Sequence, residues 1–278
     1  MSQDSLALRR DLAARARAYA GRSGIASYDS LSKVVHDRVV LFPEPPEGGA
    51  HGNFHPASYL AITSNPRWKR RLEKPHTRRG KSLPAPFDVL AREMDSCMSS
   101  DALLMNIMTY PGVVGGDVAE MLGVAPGTVP SFGVPGAVTL LHEGVAREDT
   151  TELDMQIGDT VCEAKLTETS FTSRPFAHVE RYGDLAAVFD VAALPRAGKE
   201  YLSYQLIRNV LAIAGVPARQ LRILIDARRP DLRQEWEALR PTIRSDAVRD
   251  RCRIIFWQDV ATAAPSPLRE FLAEKYGL

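Results

Sequence analysis

Glu152-Leu153-Asp154-Met155-Gln156-Ile157-Gly158-Asp159-Thr160-Val161-Cys162-Glu163-Ala164-Lys165-Leu166-Thr167 decides the fold. Two runs alternate polar and apolar residues, as half-buried strands do. Gly158-Asp159 parts them, and glycine first in a two-residue turn suits a type II′ hairpin. Counting outward sets the register: Ile157 faces Thr160, Gln156 faces Val161 and Met155 faces Cys162. Asp154 then faces Glu163, Leu153 faces Ala164 and Glu152 faces Lys165. Side chains alternate between the faces of a sheet. Leu153, Met155, Cys162, Ala164 and Leu166 therefore share a core face, and Glu152, Asp154, Glu163 and Lys165 share the other. A slip of one residue would bury the charges.

Asp154 and Glu163 are like charges placed opposite one another, which destabilises a sheet. Lys165 offsets part of this, in a pairing with Glu152. A hard divalent cation offsets more, because carboxylate oxygens and water are what Mg2+ prefers. Asp154, Glu163 and the backbone carbonyl of Ala164 make a metal-ligand set with positions left for water and phosphate. Such a metal lowers the pKa of a bound water and neutralises charge on a scissile phosphate. Lys165 is placed to orient the water or stabilise the transition state. A solvent-exposed hairpin of mixed charge would carry the same spacing, so the motif alone is a weak signal.

Outward from the hairpin, residues 199–214 return to helical period, with Leu202, Leu206, Val210 and Ile213 on one side. Gly215 and Pro217 stop that run. Tyr204, Gln205, Arg208 and Asn209 lie close together on its polar side. Residues 221–226 and 254–257 read as buried strands, with a helical stretch at 232–239 between them. Before the hairpin, residues 87–109 read as a helix with Met94, Met98, Ala102 and Met105 on one face, and 116–122 as a short one. Pro126, Pro130 and Pro135 mark a loop, and 137–141 a short strand. Residues 1–20 read as a surface helix and 43–56 as a loop. Helices around strands imply a sheet flanked by helices.

The spacing Asp154…Glu163-Ala164-Lys165, followed by Gln205, resembles the PD-(D/E)XK nuclease superfamily. Ser99 to Asn106, Glu152-Leu153-Asp154 and Tyr204 to Asn209 extend the likeness toward a group of bacterial restriction endonucleases, over roughly residues 50–260. The resemblance implies a restriction-endonuclease-like α/β core: a mixed sheet of about four strands between helices, with extra N-terminal helices. It implies one nuclease domain over 1–278. Within it, 1–85 form a helical N-terminal extension, 86–260 the core and 261–278 a C-terminal helix. It also implies Mg2+-dependent cleavage of DNA, with Mn2+ substituting. Asp154 and Glu163 match the metal-binding acids, Lys165 the catalytic lysine and Gln205 the helix glutamine. The first-helix acid of that superfamily matches Glu93, with Asp95 second. Many relatives carry an aromatic residue four positions beyond the glutamine, where this chain has Asn209.

The chain has 278 residues and a net charge of only +1, so any nucleic-acid footprint must be local. The local candidate is residues 65–81, where Arg67, Lys69, Arg70, Arg71, Lys74, Arg78, Arg79 and Lys81 face a single acid, Glu73. Trp68 and His76 are interleaved. Arg67, Lys69, Arg70, Arg71 and, on the later helix, Arg208 are the candidate nucleic-acid contacts. A solvated basic helix would look the same.

The three cysteines form no C-x-x-C pair and fit a reducing, cytoplasmic setting. No apolar run is long enough for a membrane span. The arginines of the first twenty residues are interrupted by Asp4 and Asp11, against a targeting presequence. His142-Glu143 lacks the second histidine of a zinc-protease motif, and Gly112 to Gly116 lack the lysine of a phosphate loop. DNA is the expected partner, and RNA stays open because phosphate chemistry does not distinguish the sugars. A cutter of both strands would act as a homodimer. The alternatives are a catalytically silent nucleic-acid-binding module and a scaffold whose acids are incidental.

Overall fold

The computed structural model describes residues 2–31, 38–75, 92–136, 138–142, 144–149 and 151–278. The hairpin forms in the expected register, with Ile157 opposite Thr160, Gln156 opposite Val161 and Met155 opposite Cys162. Gly158 takes φ +56°, the left-handed conformation that the first turn position requires.

Five strands make the central sheet: β1 (Ser131–Pro135), β2 (Glu152–Ile157), β3 (Thr160–Ala164), β4 (Gln220–Ile225) and β5 (Cys252–Phe256). Their spatial order is β5-β4-β3-β2-β1. The first three run antiparallel, and β4 lies parallel to both β3 and β5. Parallel neighbours need a long crossover. Helix α6 (Tyr204–Ala214) lies within the first crossover and α7 (Pro230–Leu239) within the second.

The expected count of about four strands missed β1, whose prolines read as loop. Pro135 ends β1 at the sheet edge, where a missing N–H is tolerated. The strand expected at 137–141 is real (Val138–His142) but pairs with Val145–Asp149 in a separate hairpin. That hairpin is inserted between β1 and β2.

Apolar layers cover both faces of the sheet. Met155, Ile157, Cys162, Ala164 and Leu224 pack with residues of α1 (Gln3–Ser23), α4 (Ser100–Met108), α5 (Asp117–Leu122), α8 (Trp257–Ala263) and α9 (Ser266–Tyr276). Val161, Leu221, Ile223 and Ile225 pack with Leu206, Ile207, Val210 and Ile213 of α6 and Leu232 and Trp236 of α7. Each such buried side chain contributes about 1.5–3 kcal/mol. Leu153 joins this second layer, opposite to its expected face. The regular alternation of β2 therefore ends near Asp154.

The helix expected over 87–109 is shorter. Residues 76–91 lie outside the described part, Glu93–Asp95 form a single 3-10 turn, and α4 begins at Ser100. Ser99 caps it, its hydroxyl accepting the N–H of Ala102 at 3.0 Å. Within the basic segment, α2 (Pro56–Ser64) leads into α3 (Pro66–Leu72), while residues 76–81 are outside the described part. Among the described residues no helix is long and apolar enough to cross a membrane.

Candidate active site

The β2–β3 ladder stops after the pair Met155–Cys162. In place of the next ladder bond, a carboxylate oxygen of Asp154 accepts the N–H of Ala164 at 2.8 Å. The two strands part here, and the gap holds the charged groups.

The face expected to be polar is not an open surface. Glu163 is 1% exposed, beneath Asn209 of α6, and Lys165 is 4% exposed, its ammonium over the Phe171 ring at 5.7 Å. Lys165 Nζ donates to Glu163 Oε1 at 2.5 Å, and Asn209 Nδ2 donates to Glu163 Oε2 at 2.7 Å. The expected pairing of Lys165 with Glu152 is replaced by this bond to Glu163. Glu152, half-exposed at the strand end, instead accepts Arg71 Nη1 at 2.8 Å.

The backbone of Lys165 is fixed on two sides. Its N–H donates to Leu224 of β4 at 2.8 Å. Its carbonyl accepts the indole N–H of buried Trp257 at 2.9 Å. One turn of chain later, Glu168 accepts the Ser100 hydroxyl at 2.5 Å and the Leu166 N–H at 2.6 Å. Arg229, fully buried, donates to the carbonyls of Leu166 and Glu168. The segment carrying Lys165 is thus pinned to α4, β4 and the start of α7.

Burial, then the neighbouring Glu163, push the Asp154 carboxyl up to about 8, against the pull of Lys165. Burial pulls the Lys165 ammonium down, but Glu163 and Asp154 outweigh it and hold it above the ordinary lysine range.

Asp101, in the first turn of α4, is the acid that sequence reasoning missed. It is 6% exposed and close enough to Asp154 to raise that carboxyl further. Arg71 Nη2 at 2.8 Å and Lys74 Nζ at 2.6 Å both donate to its Oδ2. Burial alone would raise Asp101, but Lys74 and Arg71 hold it below the usual carboxylate range. The available signal was its position: second in a helix capped by Ser99, inside the Ser99–Asn106 block already singled out.

Glu93, in the 3-10 turn, lies near Lys74. Asp95 is taken up by Arg92 and His51. Gln205 lies one turn before Asn209 on the same side of α6, half-buried. Its side chain makes no hydrogen bond among the described residues. The chain turns sharply before α6: Thr172 (φ +57°) and Ser203 (φ +55°) are left-handed non-glycine residues, each costing about 1–3 kcal/mol. The Tyr204 N–H donates to the Thr172 carbonyl at 2.9 Å.

The basic residues divide. Arg67, Lys69 and Arg70 of α3 are exposed. Arg71 turns inward and fills the space beside Gly133, where a Cβ would collide with its guanidinium. Arg208 is only 1% exposed and donates to Asn209 and to the Glu152 carbonyl. So buried a side chain is no part of an exposed phosphate-binding face.

Five mixed strands between helical layers, with acids and a lysine where two strands part, define a protein of the restriction-endonuclease-like class. The chain belongs to the family described as Restriction Endonuclease associating with ARP, whose model matches residues 17–277. No curated protein and no solved structure matches it.

Proposed function

We propose that this chain is a divalent-metal-dependent nuclease that hydrolyses DNA phosphodiester bonds, in restriction or another defence role. The observation that carries the reading is the grouping of Asp154, Glu163 and Lys165 at the parting of β2 and β3. Asp154 has one oxygen committed to the Ala164 N–H, and its other oxygen takes no donor among the described residues. The free Asp154 oxygen, with Glu163 oxygens that each accept one hydrogen bond and keep a second lone pair, suits a hard cation, Mg2+ or Mn2+, though no third acid, histidine or cysteine joins them within metal reach among the described residues. Asp154, Glu163 and the Ala164 carbonyl are the proposed ligands. When bound, the metal supplies charge neutralisation at the phosphate and a more acidic water.

Lys165 provides a fixed positive charge that the backbone bonds hold in place, suited to a developing negative charge. Gln205, one turn before Asn209 on α6, is the proposed partner for water or phosphate. Arg67, Lys69 and Arg70 offer an exposed cationic face to the nucleic-acid backbone. The family description names an association with ARP, and we extend that association to this chain. A silent binding module would not need Asp154, Glu163 and Lys165 together.

The test is supercoiled plasmid with Mg2+ or Mn2+, against EDTA and Glu163→Ala controls, with an RNA substrate in parallel. Metal-dependent nicking lost in the variant supports the proposal. Cleavage that persists in EDTA or in Glu163→Ala overturns it, and cleavage of RNA alone moves the substrate.

A further inference from the structure

Asn209, the departure from the superfamily pattern that the sequence resembles, donates to the Glu163 oxygen that Lys165 leaves open. It is fully buried, and neighbouring Arg208 is 1% exposed. An asparagine amide has a donor end and an acceptor end, and packing alone does not choose between them. Arg208 makes the choice. A guanidinium only donates, and Arg208 aims Nε at 3.2 Å and Nη2 at 2.8 Å at Asn209 Oδ1. The amide nitrogen must then face Glu163. A flipped amide would set its oxygen against the carboxylate and its nitrogen against the guanidinium.

Arg208 is itself held by the Glu152 carbonyl at 3.0 Å. Its Nη1 is buried with no hydrogen-bond partner, so this placement costs free energy rather than supplying it. Lys165 fixes one oxygen of Glu163 and Asn209 the other. The carboxylate is thereby locked about its last bond.

We propose that Asn209 is a positioning residue for Glu163, and that Arg208 sets the direction of its amide. The functional weight of this rests on Glu163 being a metal ligand, as read above. The contacts themselves do not.

Two variants separate donation from packing. Asn209→Asp keeps the shape and replaces the donor by an acceptor, while Asn209→Ala removes both. Positioning by donation predicts that both weaken Mn2+ binding by about ten- to a hundredfold, the usual effect of a group that supports a ligand. Asp must then be at least as severe as Ala. Packing predicts the reverse, with Asp close to wild type. Isothermal titration of the full chain with Mn2+, without nucleic acid, reads the difference, and circular dichroism verifies the fold. Wild-type affinity in folded Asn209→Asp overturns the proposal.

A wild-type chain that binds no Mn2+ sinks the metal reading instead, and the amide is then read directly. The side-chain 15N resonance of Asn209, located by its loss in Asn209→Asp, shifts in Glu163→Gln if the amide holds Glu163. A resonance that stays in place overturns the proposal.

Discussion

Two buried lysines in this chain are held in opposite ways. Lys165 lies against two carboxylates, and its charge is favoured above the ordinary lysine range. Lys275, on the C-terminal helix α9, has no acid beside it among the described residues. It donates to the Gly52 carbonyl and to Asn53 Oδ1. Four rings surround it, with Phe42 at 4.2 Å and Tyr19, Tyr276 and Phe271 farther out. Burial pulls its pKa well below the usual value. The two sites bury similar amines, and the difference is the neighbouring charge. Where acids surround the lysine, the arrangement suits chemistry on an anion. Where rings and carbonyls surround it, the lysine ties the last helix to residues 52–53.

The sharpest way to break this contrast is to make both amines apolar. Lys165→Met should lower plasmid cleavage by about a hundredfold or more, the scale of a positioned charged or acid–base group. Lys275→Met should leave cleavage near wild type. Equal loss in both, measured on folded protein, would erase the distinction.

Stability should rank them differently. Lys275→Ala removes the stem that fills the aromatic cage and should cost about 3 kcal/mol in urea unfolding. Lys275→Met, which keeps the volume, should cost less. It leaves two acceptors unpaired but relieves the burial of an amine. A Met variant as unstable as Ala would show that the ammonium, not the stem, is what matters.

The acid side can be sharpened with pH. In the metal-free protein Asp154 keeps its proton up to about 8, whereas an unfolded aspartate loses it near about 4. Between those values the folded state holds the extra proton, so this residue's contribution to stability falls as pH rises from about 4 to about 8. Asp154→Asn cannot ionise and should remove that slope. Unfolding in EDTA at the two ends of the range checks it. A slope unchanged by the substitution would mean that another group carries the proton.

The smallest effect belongs to the exposed cations. Neutralising Arg70 should weaken DNA binding and reduce its salt slope by about one. Arg71→Gln should act differently, by freeing Glu152 and leaving Asp101 to Lys74 alone. Identical salt behaviour would remove the division between the outward and inward residues of α3.

The turn end of the hairpin was legible because strand period, turn glycine and register reinforce one another from Met155 to Cys162. Asp154, Glu163 and Lys165 gather just beyond it, where the strands part and the expected cross-strand pairs do not form. Asp101 was not legible, because its neighbours Arg71 and Lys74 come from a distant segment. Period alone cannot say which acid of a helical run will meet them. The role of Asn209 was not legible because its partner, Glu163, lies across a crossover. Arg208 read as a surface charge because a polar stripe on a helix usually faces water. Here that stripe covers the sheet. β1 hid behind its prolines, which an edge strand accepts and a central strand does not.

The bond from Asp154 to the Ala164 N–H limits what can replace this aspartate. One oxygen stands in for a missing backbone acceptor, so the position tolerates only side chains that accept there with the same reach. Asparagine meets that demand while giving up the charge. A lineage released from selection for cleavage could therefore lose the reaction in one substitution and keep its shape, whereas alanine at 154 would endanger both. In a library sorted for soluble expression, Asp and Asn should persist at this position. In one sorted for cleavage, Asn should disappear.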